Sequence, residues 1–357
     1  MSTERHIDAR NAPGRITRRG VIAAAGVAGL GMPLIARAQP ATMTVPNSGG
    51  ALEDAYRAAY FDTFTKQTGI KILGAPYFDA ARIKAMVDNN AVDIDVANID
   101  ATEAAVLAQA GLLEPIDYDI IDRKQLLPQA AQPHYMLADI AAYAMGWNTK
   151  SFTDATRPKD WGEFFDVKAK PGQRSLWKAA PQTLEVAAMG AGQSRESLYP
   201  IDVDKAFGKL DAIKSNLSWW DSGAQGAQLL LGGDADVGAV WNGRLAKPIQ
   251  DGAPVNLTFD HALYVADAMI IPKGAKNKKY SMQFLANLIR PENQAIFCRR
   301  IPYGPVNPAT FALLTDAEKD RLPNSPQNSK TAVYQNFDYW AQNGATLIAR
   351  FNKWLVG

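Results

Sequence analysis

The sequence has little cysteine and little histidine. Its one cysteine, Cys298, excludes an internal disulfide in any redox compartment. Only three histidines are present, and one of them, His6, lies close to the amino terminus. Few residues therefore remain for a metal site built from histidine and cysteine. We expect neither a metal nor another cofactor.

An excess of charge of either sign is also missing. The chain of 357 residues has 38 basic and 36 acidic residues, and its first 38 residues contain six arginines against Glu4 and Asp8. Once that segment is left out, 32 basic and 34 acidic residues remain, a net charge of −2. This balance argues against nucleic acid as the main partner.

The motifs of common catalytic sites are absent from the sequence. There is no Gly-x-Ser-x-Gly, no His-Glu-x-x-His and no Walker loop, and His134 and His261 stand isolated. The apolar share of 47% is that of a globular protein and excludes wholesale disorder and a multi-span membrane protein. The length favours two domains. We therefore expect a globular protein that is not an enzyme.

The amino-terminal segment is typical of an export signal. Arg18 and Arg19 precede a weakly apolar run over 20–36, and the small-x-small pattern of 36–38 is typical of a cleavage site. The arginine pair resembles the twin-arginine (Tat) signal. A membrane anchor is the alternative, but the run has only 17 residues and contains glycine and proline. We predict cleavage after Ala38 and a soluble periplasmic protein.

Strands and helices alternate along the rest of the chain. In the first half, apolar spacing predicts strands over 43–45, 70–73 and 92–96 and helices over 52–67, 80–88 and 102–110. Such alternation favours a parallel sheet whose ligands bind beyond the carboxyl ends of the strands. The loops at 48–50, 76–79 and 98–100 are therefore expected on one rim.

A second alternating unit follows the first. It is predicted to contain strands over 140–147, 175–178, 237–241 and 268–271 and helices over 161–165, 183–189, 204–214, 225–231, 280–289 and 291–299. An amphipathic tail over 331–354 is also predicted to be helical. Together the two units predict an α/β protein.

A set of short segments in fixed order carries a family resemblance. They are Gly49-Gly50, 64–71, 111–117, 160–164, 231–237, Trp241-Asn242-Gly243, 271–279, 286–292 and 303–308. With these segments the chain resembles the extracellular solute-binding proteins of ABC transporters, in the spermidine/putrescine-type branch. The resemblance covers nearly all of the chain after the export signal.

The resemblance implies a type II periplasmic-binding-protein fold, in which two α/β lobes enclose a ligand and close about a hinge. The expected parts are a Tat-type signal peptide (1–38), a first lobe (39–145, completed by 265–310), a second lobe (146–264) and a helical tail packed on the lobes (311–357). The chain is expected to cross between the lobes near 143–148 and 262–268.

The resemblance also implies a function. We expect a monomeric periplasmic protein that captures a small amine-bearing solute and delivers it to the permease subunits of an ABC importer, after export by the Tat machinery. A ligand-sensing protein for a membrane receptor is the alternative, and a periplasmic enzyme is a weaker one. A ferric-iron carrier on the same fold would normally show adjacent tyrosines, which this chain lacks.

Asp267 and Arg244 suggest the kind of solute. Asp267 matches an acid that pairs with a ligand amine in the polyamine binders, but Val265 stands where they have a tryptophan of the aromatic box. Arg244 follows Trp241-Asn242-Gly243, where those relatives commonly have a small neutral residue. Because a guanidinium suits a carboxylate, Arg244 with Asp267 favours a zwitterion such as 4-aminobutyrate over putrescine or spermidine. Arg244 facing solvent or paired with Asp260 is the alternative.

The family resemblance and the position of residues beside predicted strands give further candidates for ligand contact. Trp241 and Tyr303 match rings that line the cleft in relatives, and Trp241 is equally compatible with a core position. Ser48 and Gly49 form a strand-to-helix turn that would favour an anion. Asn98 and Asp100 follow the third strand, and Glu185 aligns with an acid that contacts an amine, although it would equally suit a solvent-facing position on its helix.

Overall fold

The structure is a computed structural model and describes residues 41–356. The predicted export signal, with Arg18, Arg19 and the cleavage site at Ala38, lies outside the described residues. Within them two large hydrophobic cores form, and we call the parts of the chain around them lobe 1 and lobe 2. This arrangement agrees with the predicted two-lobed α/β class.

Lobe 1 contains the first half of the described chain and a later return. Its elements are β1 (Thr42–Pro46), α1 (Gly50–Tyr56), a π-helical stretch (Arg57–Phe61), α2 (Asp62–Thr68), β2 (Lys71–Ala75), α3 (Ala80–Asp88), β3 (Ala97–Asp100), α4 (Ala101–Gln109) and β4 (Tyr135–Leu137). The helix predicted over 52–67 therefore runs from 50 to 68, and Gly69 ends it with a φ of 76°.

Lobe 2 contains the middle of the chain and a six-stranded sheet. Its elements are β5 (Ala141–Asn148), α5 (Trp161–Phe165), β6 (Arg174–Trp177), α6 (Ala180–Gly190), α7 (Val203–Ala212), β7 (Leu217–Trp220), α8 (Gly223–Gly232), β8 (Val237–Trp241), α9 (Asn242–Gln250) and β9 (Val255–Val265). The chain then returns to lobe 1 with β10 (Asp267–Ile270), α10 (Lys278–Leu288) and α11 (Pro291–Arg300).

The sheets are mixed rather than parallel as predicted. In lobe 1, β1 and β2 are parallel, but β10 lies between β3 and β4 and is antiparallel to both. In lobe 2 the strand order is β11-β9-β5-β8-β6-β7, where β11 is the short strand Val333–Tyr334 and β5 is antiparallel to both neighbours. The antiparallel strands β5 and β10 are the ones that follow the crossings between the lobes, and this long-range return is not visible in local spacing.

The strand predicted over 92–96 is wrong, because β3 begins only at Ala97. Val92, Ile94 and Val96 are buried, which explains the alternating pattern. The Asp95 side chain accepts a hydrogen bond from the Thr44 backbone N–H at 2.9 Å and therefore takes the place of a strand partner there. Strands β7 and β9 were not predicted, and in β9 the backbone at His261 has a φ of 57° that interrupts the strand pattern.

Three segments cross between the lobes side by side. The chain leaves lobe 1 at 138–140, returns at Ala266 between β9 and β10, and passes again at 301–304. The Ala138 N–H donates to the Asp267 carbonyl at 2.8 Å, and Ile140 exchanges two backbone hydrogen bonds with Gly304. The first crossing thus precedes the predicted 143–148, since β5 belongs to the lobe 2 sheet from Ala141.

The carboxyl-terminal segment joins both lobes. It contains a 3-10 helix (Pro308–Leu313), α12 (Asp316–Lys319), β11 (Val333–Tyr334) and the long helix α13 (Phe337–Val356). The helix predicted from 331 begins at Phe337, because Val333 and Tyr334 pair with β9. Helix α13 packs on α4 of lobe 1 and on α6 of lobe 2.

Candidate functional site

A cleft of about 860 Å³ lies between the lobes. Residues from the loop before α1, from α4, from the ends of β6 and β8, from the second and third crossings and from α13 line it. Its volume is within the range of sites that enclose small ligands, about 300–1,000 Å³. Seven of the nine predicted site residues line this cleft: Ser48, Gly49, Asp100, Trp241, Arg244, Asp267 and Tyr303.

Asp267 lies where the second crossing enters lobe 1. It is the first residue of β10 and pairs in register with Asp100, the last residue of β3. Burial raises the pKa of Asp267 to about 7; the charge of Asp100 adds to this rise and the charge of Arg244 opposes it. The carboxyl group therefore gains a proton near neutral pH unless a cation occupies the cleft.

A second acid, Asp139, lies behind Asp267 in the first crossing. It is 1% exposed, and neither oxygen of its carboxyl group has a hydrogen-bond partner. Burial and the charge of Asp267 hold the pKa of Asp139 well above its usual range. Because two adjacent buried carboxylates repel each other, the environment of this pair disfavours ionisation of both acids at once.

Trp241 forms one wall of the cleft at the end of β8. Its indole N–H donates to Oε1 of Gln182 at 2.8 Å, and its ring meets Trp177 and Trp220 edge-on, with centroids 5.1 Å away in each case. Gln182 has a φ of 69°, a left-handed conformation that is costly for a residue with a side chain. The surrounding packing thus holds Gln182 where it fixes the orientation of Trp241.

Arg244 lies in the first turn of α9, immediately after β8. Its side chain is exposed on the cleft, and within residues 41–356 it forms no salt bridge. Asp260, the alternative partner, pairs with Arg157 at 3.4 Å instead. The guanidinium and the amino-terminal end of α9 both present positive charge to the cleft, so they suit an anionic group of a ligand.

The sequence Trp241-Asn242-Gly243 has a structural role at each position. Asn242 accepts from the Ala142 N–H at 3.0 Å and donates to the Pro302 carbonyl at 2.6 Å, and so joins β5 to the third crossing. A Cβ at Gly243 would lie 2.7 Å from the Tyr303 ring. Glycine at this position therefore allows the ring of Tyr303 to approach α9 and form the second wall.

The lobe 1 rim of the cleft is formed by two helix starts. Ser48 and Gly49 precede α1, and the Asn47 side chain accepts from the Gly49 N–H at 2.8 Å. Asp100 caps α4 by accepting from the Thr102 N–H at 2.8 Å, and burial raises its pKa. The carboxylate of Asp100 is thus largely engaged by its own helix.

Asn98 and Glu185 do not line the cleft. Asn98 is 1% exposed and donates to the Tyr56 hydroxyl at 3.0 Å inside lobe 1. Glu185 is fully buried on α6 and accepts from Tyr199, Gln335 and Trp340. Both residues lie in or beside the elements predicted for them. The sequence does not reveal the hydrogen-bond partners that hold their side chains in the interior.

Several lining residues are not among the nine predicted site residues; of these, Tyr77 was a weaker candidate, and sequence left Trp177 open between a core and a site position. Trp177 and Gln182 lie on lobe 2, and Tyr77 lies on lobe 1, where its hydroxyl donates to Glu103 at 2.5 Å. Helix α13 supplies a further side of the cleft with Trp340 and small residues such as Gly344. The tail was predicted as an amphipathic helix, but its small residues gave no sign that they face a ligand site.

Between residues 41 and 356 no helix combines the length and apolar character needed to cross a bilayer. Over the same residues no group of three or more His, Cys, Asp or Glu side chains is placed to hold a metal ion.

The fold and the cleft define a two-lobed protein built to enclose a small molecule. Residues 59–326 match the family of bacterial extracellular solute-binding proteins, and the chain belongs to this family. The chain is 34% identical over 337 residues to the gamma-aminobutyric acid-binding protein of Pseudomonas aeruginosa, which covers 91% of this chain and 94% of that protein. The predicted family resemblance is thereby confirmed.

Two further proteins are similar to this chain. The spermidine/putrescine-binding periplasmic protein of Escherichia coli is 24% identical, over 77% of this chain and 82% of its own length. A solved structure of the Atu4243–GABA receptor superposes with a TM-score of 0.82 at 33% identity, covering 88% of this chain and 97% of that one. The fold is thus shared with binding proteins for amine-bearing solutes.

Proposed function

We propose that the protein is the solute-binding component of an ABC importer and captures a zwitterionic ω-amino acid such as 4-aminobutyrate. One observation carries this proposal: a single cleft contains an unpaired arginine, Arg244, and an acid at the hinge, Asp267. The two side chains influence each other electrostatically without forming a salt bridge, so a molecule with opposite charges at its ends fits between them.

The chemistry of the two groups defines the orientation of the solute. The planar guanidinium of Arg244 accepts a carboxylate in two parallel hydrogen bonds, and the ionised carboxylate of Asp267 accepts hydrogen bonds from an ammonium. The carbon chain of the solute lies between the rings of Trp241 and Tyr303. Rotation of the lobes about the crossings at 138–140 and 266 closes the cleft around it.

The relatives support the zwitterion. The proteins at 34% and 33% identity carry gamma-aminobutyric acid in their names, whereas the spermidine/putrescine binder is at 24%. Val265 also lines the cleft where the resemblance implies a tryptophan in polyamine binders. A smaller side chain there leaves a polyamine without one wall of its aromatic box.

A polyamine is the second candidate, and one observation favours it. Among the described residues that line the cleft, Arg244 is the only basic one, whereas Asp100, Glu103 and Asp267 are acidic. A diamine such as putrescine would bring two positive charges to these acids. However, Asp100 already caps α4 and Glu103 already binds Tyr77, which leaves Asp267 as the main anchor for an amine.

A thermal-shift screen of amines, amino acids and betaines tests the solute class. We expect 4-aminobutyrate to raise the melting temperature with the logarithm of its concentration above Kd, because it binds only the folded protein. Putrescine should give a smaller shift at the same concentration. A larger shift with putrescine, or a shift with betaine alone, would contradict the proposed class.

The export route and the delivery step belong to the same proposal. The Tat machinery would export the precursor, cleavage after Ala38 would release a monomer into the periplasm, and the closed form would dock on two permease subunits. We predict that Arg18→Lys with Arg19→Lys leaves uncleaved precursor in the cytoplasm, since the pair defines the Tat signal. Cell fractionation measures this outcome, and normal export of the double variant would refute the Tat assignment.

A further inference from the structure

Glu185 is a buried acid on which three donors converge. The Tyr199 hydroxyl donates to its Oε1 atom at 3.0 Å, the Gln335 amide donates at 2.9 Å, and the Trp340 indole N–H donates to the same oxygen. Tyr199 follows α6, Gln335 precedes α13 and Trp340 lies in the first turns of α13. One carboxyl oxygen thus joins lobe 2 to the carboxyl-terminal helix.

The interior around Glu185 disfavours a negative charge on its carboxyl group. The side chain is fully buried, its Oε2 atom has no hydrogen-bond partner, and burial raises its pKa. A buried carboxyl group is tolerated when donors satisfy it. Loss of the acceptor would leave three buried donors unsatisfied, and two of them belong to the segment that positions α13.

The same helix that Glu185 holds also faces the cleft. Trp340, Ala341, Gly344, Ala345 and Ile348 line it over three turns of α13. Four of these five side chains are aliphatic or absent, so this side of the cleft is smooth and leaves room for a solute. The nearest atom to a Cβ built on Gly344 is Trp340 Cε3, at an ordinary contact distance of 3.5 Å.

Helix α13 has a stronger polar attachment to lobe 2 than to lobe 1. Towards lobe 2 it has the buried Glu185 bonds and the packing of Tyr199 against Tyr339, with ring centroids 5.0 Å apart. Towards lobe 1, Thr102 on α4 approaches Gln335 at 3.5 Å, the outer limit of a hydrogen bond. When the lobes move, α13 is therefore expected to stay with lobe 2.

We propose that Glu185 is a positioning residue that fastens α13 to lobe 2, and that α13 is a third wall of the cleft that limits the size of the solute. The proposal rests on the proposed function, because it concerns the same cleft. In this account the acid that aligns with a ligand contact in polyamine binders holds the cleft wall and does not touch the solute.

The test uses the full-length mature protein and two probes of different length, 4-aminobutyrate and 6-aminohexanoate. Calorimetry gives the ratio of their affinities. Gly344→Met should weaken the longer probe at least fivefold more than the shorter one, because the new side chain occupies the smooth face. Gly208→Met is the matched control, since Gly208 lies exposed on α7 with open space around it and outside the cleft lining, and it should change neither affinity.

Glu185→Leu should change the ratio of the two affinities at least fivefold and speed amide hydrogen exchange in α13. Glu185→Gln keeps an acceptor oxygen for the three donors, so it should restore both readouts. Tyr199→Phe removes one donor only and should give an intermediate increase in exchange, which keeps the test decisive if the leucine variant does not fold.

The outcomes separate this proposal from the proposed function. Unchanged exchange in α13 of the Glu185→Leu and Tyr199→Phe variants would overturn the positioning role, whatever the solute is. A uniform rise in exchange over the whole chain, with both affinities reduced equally, would also overturn it. An unchanged ratio in Gly344→Met would overturn the wall. If the wild-type protein binds neither probe, the proposed function fails, and the exchange result still decides the role of Glu185.

Discussion

Arg244→Ala should lower the affinity for 4-aminobutyrate by about 100-fold, or ~3 kcal/mol, the upper end for hydrogen bonds to charged groups. The variant removes the guanidinium that faces the cleft without a protein partner, so the solute carboxylate loses its counter-charge and its two parallel hydrogen bonds. Titration calorimetry at fixed pH measures the change directly. The affinity for putrescine should not fall, since a diamine has no carboxylate.

Lys247→Ala is the matched control for this experiment. Lys247 lies on the same helix, α9, is exposed and pairs with Asp251, but it does not line the cleft. Its replacement removes one positive charge from the same element and should leave the affinity within about twofold. Equal losses in the two variants would indicate a general effect of charge on α9. An unchanged affinity in Arg244→Ala would contradict the zwitterion account.

The affinity for 4-aminobutyrate should fall about tenfold for each pH unit below pH 7. The pKa of Asp267 is raised to about 7, so below that pH a proton competes with the solute ammonium for the carboxylate. The carboxylate and ammonium of the solute ionise near pH 4 and pH 10, well outside this window. Calorimetry between pH 5.5 and pH 8 measures the slope, and protons should be released on binding below pH 7.

Unfolding does not explain the expected loss. An acid whose pKa is raised by folding binds more protons in the folded state, so its contribution to stability is present at low pH and is lost as the pH rises through 7. Asp267 therefore stabilises the folded protein more at pH 5.5 than at pH 8. Asp267→Asn should bind weakly at every pH and lose the slope, whereas Asp221→Asn, which alters an exposed acid outside the cleft, should keep both. A flat profile in the wild type would contradict the role of Asp267.

Most of the fold was visible in local sequence patterns. Helix α5 and strand β8 agree with the prediction residue for residue, because apolar spacing and local turn signals decide both. Sheet direction was not visible, because β10 reaches its neighbours β3 and β4 from far along the chain. The pattern over 92–96 misled because its apolar residues are buried without forming a strand, and the Asp95 side chain accepts from the Thr44 N–H of β1.

The site was predictable where the family resemblance could be placed on a particular residue. Asp267 and Trp241 match site residues of relatives, Arg244 departs from them, and all three line the cleft. Glu185 was not predictable, because its orientation depends on partners at Tyr199 and Gln335 that only the folded tail brings near. Gln182 was also missed, since its role follows from a left-handed backbone conformation that sequence does not indicate.

A crystal structure of the protein with 4-aminobutyrate tests the central claim most directly. We predict a closed cleft in which the solute carboxylate lies on the Arg244 guanidinium and the ammonium lies on the Asp267 carboxylate, with the carbon chain between Trp241 and Tyr303. A solute bound in the reverse orientation, or one whose ammonium contacts Glu103 while Arg244 points to solvent, would contradict the account.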